Sequence, residues 1–152
     1  MRKFYPVSVI IVFAVVIFAI IMNGVSIGLY VSIPALIFVV VLTTGLLFGT
    51  FSPSEMGEAF RTAYHGTEPS ALRKAIAFFR AMHHYLLWSG VLATLTGIIV
   101  LLATLGDETT VGFGAALALV TSFYAIVLSL ALALPFKHAA EKRLAEADRS
   151  AT

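Results

Sequence analysis

The sequence has no cysteine and very little charge, and each absence removes a class of function. Without thiols there is neither a disulfide framework nor a thiolate metal site. Asp, Glu, Lys and Arg together make up 12% of the 152 residues, against 60% hydrophobic residues. A soluble domain cannot hide that much apolar surface, whereas lipid accepts it. The formal net charge of +2 is small, and the charges follow a membrane topology rather than a binding patch, so no nucleic-acid partner is expected. The third absence is the most informative. Four apolar runs, at about 7–22, 33–51, 85–105 and 111–134, contain no Asp, Glu, Lys, Arg or His. A proton carrier ordinarily keeps an ionisable group inside the membrane, because its high cost there is tolerated only for function. Either this chain transports nothing, or a partner supplies the titrating group.

What is present describes an all-α integral membrane protein, a single domain over 1–152. At ~1.5 Å per residue each run approaches the ~30 Å hydrocarbon thickness, which predicts four transmembrane helices. Met1–Pro6 is a short basic lead with Arg2 and Lys3; no Ala-x-Ala site follows the first run, so that run is expected to stay as an uncleaved helix. Pro34 suits the first turn of the second helix, and Ser52-Pro53-Ser54-Glu55 marks its end, with Ser54 expected to cap the next helix. A polar segment, 52–84, holds an amphipathic piece (Met56, Ala59, Phe60, Ala63, Tyr64), a break at His65–Pro69, and a second helix that runs on into the third membrane run. The fourth run is expected to end at Pro135, followed by a basic amphipathic cytoplasmic helix over 137–152. All ten Lys and Arg residues fall in the lead, the middle segment and the tail. The positive-inside rule therefore puts both termini and the middle segment in the cytoplasm of a multi-pass inner-membrane protein.

The third and fourth runs carry small and hydroxyl residues on one helical face each. Ser89, Ala93, Thr96, Gly97, Val100 and Thr104 recur at spacings of three and four, with Gly90 and Thr94 beside them. Gly114, Ala118, Ser122, Ala125, Ser129 and Ala133 do the same on the fourth, with Thr121 adjacent. One reading is close helix packing, with each hydroxyl bonded back to its own helix. The other is a lining along which water or ions move. His83 and His84 point about 100° apart on a helix and cannot chelate one ion together, so they read as interfacial or solvated. Asp107 and Glu108 form an outer turn that would become an acidic, cation-concentrating rim in a ring. There is no nucleophile–base pairing, phosphate loop or metal-spaced cluster; no enzyme activity and no cofactor are expected.

Three stretches resemble one family in order. Tyr30–Val39 followed by Thr43-Thr44-Gly45 resembles the start of the second membrane helix of MotA-type stator subunits. Gly90-Val91-Leu92-Ala93-Thr94-Leu95-Thr96-Gly97 is similar to their third, and Ala116–Ala125 running on to Leu134-Pro135 to their fourth. Together they resemble the MotA/TolQ/ExbB proton channel family. The resemblance implies a homopentameric ring around two copies of a single-span MotB/ExbD/TolR-like partner, whose membrane aspartate carries the proton or sodium ion. It implies that Thr94 and Ser122 face that aspartate with Thr121 beside them. It further implies that Ala93, Gly97, Ala118, Ala125 and Ser129 leave room for the partner, and that Pro135 marks the cytoplasmic end. Ser122 stands where threonine is usual, Ala125 where glycine is, and Leu87 where stator subunits carry proline. The segment 52–84 is also far shorter than the rotor-engaging domain of a flagellar stator. The expected function is therefore a compact ion-driven motor or channel subunit doing mechanical work in the envelope. The rival expectation is a four-helix membrane scaffold that moves nothing, with a self-contained small transporter as a third.

Overall fold

A computed structural model describes residues 32–103 and 108–150, together with positions 10, 14, 15, 17, 18, 21 and 22. The expected first membrane helix, 7–22, falls for the most part outside the described residues, as do the loop to residue 31, Thr104 and Asp107. Among the described residues the chain is helical with no strand: α1 (Ile33–Thr50), α2 (Pro53–His65), α3 (Pro69–Ala103), α4 (Glu108–Leu128), a π-helical turn (Ser129–Ala133) and α5 (Leu134–Ser150). Three of these helical stretches are long and apolar enough to cross a membrane: Ile33–Thr50, Pro69–Ala103 and Gly114–Arg149.

Local chemistry sets the boundaries. Ser32 caps α1 by accepting from the Ala35 N–H at 3.4 Å, and Pro34 occupies the first turn, where its missing N–H leaves nothing unpaired. One stripe of α1, Ala35, Val39, Thr43 and Leu47, is buried against the rest of the chain. The cap of α2 is Ser52, not Ser54. Pro53 takes the first helical position, its fixed φ already helical, so the residue before it becomes the cap. Ser52 accepts from the Glu55 N–H, and the Glu55 carboxylate accepts from the Ser52 N–H at 2.8 Å, a reciprocal capping box. These bonds from Ser52, backbone first, hold the Glu55 carboxyl below its ordinary pKa.

At 35 residues α3 is ~52 Å long, well beyond a bilayer's hydrocarbon thickness. Its first half packs instead against α2 and α5. Phe78, Phe79 and Leu72 are fully buried there, and Phe60 meets Phe78, Phe79 and Phe136 edge-on at centroid distances of 5.8, 5.1 and 5.1 Å. Phe136 stacks on Phe79 at 5.2 Å. From α5, Arg143 donates to the Gly66 carbonyl at the end of α2. The apolar face of the short amphipathic helix is thus spent on a three-helix polar-end core that extends the membrane helices.

The helix that carries the fourth run continues past Pro135. It passes through a wider turn in which the Leu134 N–H bonds Ser129 O, five residues back, and continues as α5 to Ser150. Proline has no N–H to offer Ala131 and its ring crowds that carbonyl; widening the turn just before it relieves the clash without breaking the helix.

Candidate functional site

α3 and α4 run antiparallel and meet along a seam whose rungs are small on both sides. A Cβ built on Gly90 would lie 2.5 Å from Ala125 Cβ, and one on Gly97 would lie 2.6 Å from Ala118 Cβ and 3.0 Å from Ala118 Cα. Further out, Gly114 faces Leu101. Between the two tight rungs sits the pair Thr94 and Ser122, whose hydroxyls hydrogen-bond to each other across the helices. Thr94 also donates to the Gly90 carbonyl at 2.8 Å and approaches the Ala118 carbonyl at 3.4 Å. Glycine at 90 and 97 lets the backbones approach until two short hydroxyls can touch, the mechanism by which small residues tighten helix pairs in lipid.

The residues expected to line an ion path divide between two surroundings. Ala118, Ala125 and Ser129 are buried at the chain's own α3/α4 seam and the π turn. Ala93, Gly97, Ala118 and Thr121 line a cleft of about 210 Å³ closed on its third side by Pro34 and Phe38 of α1. Thr94 and Ser122 are half-buried, at the boundary between seam and surface. Pro135 is half-buried just past the π turn; Glu108 opens α4, and Asp107 is outside the described residues. The structure brings Thr94, Ser122, Ala93, Gly97, Ala118, Thr121 and Ala125 into one region of the α3/α4 pair, with Ser129 farther along the same seam. It keeps Pro135 and Glu108 at opposite ends.

A second polar contact ties α1 to α3. The buried hydroxyls of Thr43 and Ser89 share a hydrogen bond of 3.1 Å. At the other end of α1, the Ser32 N–H donates to the Tyr124 phenol oxygen at 3.0 Å. No buried side-chain nitrogen or oxygen among the described residues lacks a partner, so no orphaned group there calls for a metal, and no cluster of three His, Cys, Asp or Glu residues occurs.

His83 and His84, both expected to be interfacial or solvated, differ in their surroundings. The two histidines diverge as helical geometry requires: His84 is exposed and donates from Nδ1 to the Arg80 carbonyl at 2.8 Å. His83 instead turns inward, half-buried, with Nδ1 2.5 Å from the Ser129 hydroxyl. It precedes by two residues the apolar run expected at 85–105. Burial, then the neighbouring His84 and Lys137 charges, hold its pKa below the usual histidine value. A signal was available: positions 83, 90, 94 and 97 share the spacing of the seam.

The sequence model of the MotA/TolQ/ExbB proton channel family matches residues 41–150, more than half of the chain. The chain belongs to that family. No curated protein matches it. Membership of the MotA/TolQ/ExbB family makes an ion-channel or motor-type function in a membrane the general reading, and it covers α3, α4 and the Thr94/Ser122 pair in full.

Proposed function

We propose that this chain forms a homopentameric ring around a single-span MotB/ExbD/TolR-like partner and that proton or sodium flow between them drives mechanical work in the bacterial inner membrane. The observation that carries the reading is the uncharged α3/α4 edge. A hydroxyl pair, Thr94 and Ser122, stands half-buried beside a cleft of small residues, in spans that hold no Asp, Glu, Lys, Arg or His. Such an edge can hydrate and hydrogen-bond an ion held near a partner's carboxylate, with Ala93, Gly97 and Thr121 lining the small cleft beside it. Ala118, Ala125 and Ser129 serve by drawing the two helices together. Four spans place both termini and the α2/α5 core in the cytoplasm, with Asp107 and Glu108 as the outer rim and Pro135 at the inner end.

The experiment is ion flux in vesicles reconstituted with the complex purified from its native membrane by a tag on this chain. Thr94→Val with Ser122→Val removes both hydroxyls; valine is isosteric with threonine at 94 and bulkier than serine at 122, so assembly is checked alongside flux. The reading expects flux to be lost while the complex elutes unchanged on a sizing column. Unchanged flux in the double variant sinks the assignment. A second reading, a scaffold that conducts nothing, is favoured by one observation: the small faces pack on each other inside a single chain. It predicts no flux from the unaltered complex either.

A further inference from the structure

The seam that pairs Gly90 with Ala125 and Thr94 with Ser122 continues toward the cytoplasm and closes on one more polar rung, His83 with Ser129. We infer that His83 is the chain's own proton-exchange group, passing protons between the Ser129 hydroxyl in the seam and cytoplasmic water. The inference rests on the function proposed above and adds a residue to it.

Position is the first support. Ser129 is 1% exposed and opens the π turn, while the ring bonded to it is half-buried, so His83 bridges a sealed interior and the solvent. Along the seam Ser129 lies two turns, ~10 Å, from Ser122, with the Gly90/Ala125 rung between them. Among the described residues of the spanning part of α3 and of α4, no other titratable side chain sits on these facing stripes. The surroundings are the second support. The charged groups acting on His83 are His84 on its own helix and Lys137 from α5, itself paired with Glu141 at 3.6 Å; no carboxylate among them bonds the ring and traps it as the cation. A ring that gives up its proton more readily than a free histidine is suited to exchange rather than to a fixed charge.

The step balances. With the neutral ring protonated on Nε2, the Ser129 hydroxyl donates to Nδ1. A proton arriving on water adds to Ser129 Oγ as the serine's own hydrogen passes to Nδ1, leaving a neutral hydroxyl and an imidazolium. The imidazolium releases its Nε2 proton to cytoplasmic water; the ring then turns about its Cβ–Cγ bond to bring Nδ1–H to that water, Nε2 gains a proton as Nδ1 loses one, and the ring turns back in the starting tautomer. One proton enters and one leaves.

The test uses the same tagged native complex in vesicles carrying an internal pH dye, with flux measured across cytoplasmic-side pH. His83→Asn keeps a side-chain group near Nδ1 for Ser129 but cannot titrate. Ser129→Ala removes the bond with a small buried change, and it carries the test if His83→Asn fails to assemble. Both should lower proton flux by ~10-fold or more, and His83→Asn should erase the acid limb of the pH profile, whose midpoint lies below that of a free histidine. If both variants keep the flux and the limb while Thr94→Val/Ser122→Val abolishes flux, the His83 inference fails and the wider reading stands. A complex that moves sodium and no protons overturns the inference in the same way. Flux that survives the double valine, or none from the unaltered complex, overturns both.

Discussion

Gly90→Ala is the sharpest perturbation of the seam. The new Cβ would lie 2.5 Å from Ala125 Cβ, about 1 Å inside ordinary carbon contact. Neither carbon is the end of a flexible side chain, so the helices themselves must separate by about that much. Separation on that scale strains the Thr94–Ser122 bond one turn away, and overpacking of this kind costs about 1–3 kcal/mol. The assay is reversible denaturant unfolding of the detergent-solubilised protein, followed by helicity. The contact geometry also predicts a rescue. Removing the Ala125 methyl leaves Ser122 Cα at 3.7 Å and Ser122 O at 4.0 Å as the nearest atoms, both comfortable. Gly90→Ala combined with Ala125→Gly should therefore recover about 1 kcal/mol or more relative to the sum of the single changes. The same exchange at the next rung should fail, because Ala118→Gly leaves Ala118 Cα at 3.0 Å from a Cβ on residue 97. Equal rescue at both rungs, or a Gly90→Ala protein as stable as its parent, would refute this account of the seam.

Three further outcomes follow from the same contacts. Thr43→Val and Ser89→Ala should each cost about 1 kcal/mol by breaking the buried hydroxyl pair, and the double variant should lose less than the sum, read by the same unfolding curves. Phe79→Ala should destabilise by about 3–5 kcal/mol, since its fully buried ring meets Phe60, Phe78 and Phe136; calorimetry showing a fall typical of a surface change would count against the polar-end core. Glu55 has a lowered folded-state pKa, so its contribution is fully present above the ordinary carboxylate range and is lost as pH falls through its depressed value. The melting-temperature gap between the parent protein and Glu55→Gln should accordingly close on acidification; a gap that widens would contradict the capping box.

Much of this was legible from residue types because lipid imposes simple rules. Helix α1, expected at 33–51, runs Ile33–Thr50, and the expected unbroken passage from Ser70 into the third membrane run is α3. The cap of α2 was missed by two positions although Pro53 held the answer: a proline at the first helical position leaves Ser52 as the only residue able to cap. The apolar run ends at Pro135, but that the helix passes through the proline was not legible, because a π turn upstream of a proline leaves no mark in composition. The two small faces were each visible as a stripe, but a stripe does not say which surface it meets. Only the antiparallel register of α3 and α4 shows that Gly90 and Gly97 receive Ala125 and Ala118, and that Thr94 and Ser122 bond each other. His83 was judged by its neighbour in sequence, whereas its partner, Ser129, lies across the seam.

A motor subunit of this kind requires a ring with an open axis. Particle imaging of the complex purified from its native membrane measures both at once. The account predicts five copies around a central space that holds a single-span helix, with the half-buried edges of Thr94 and Ser122 turned toward it. A monomer, or a dimer with that edge sealed against a second copy and no central space, would contradict it.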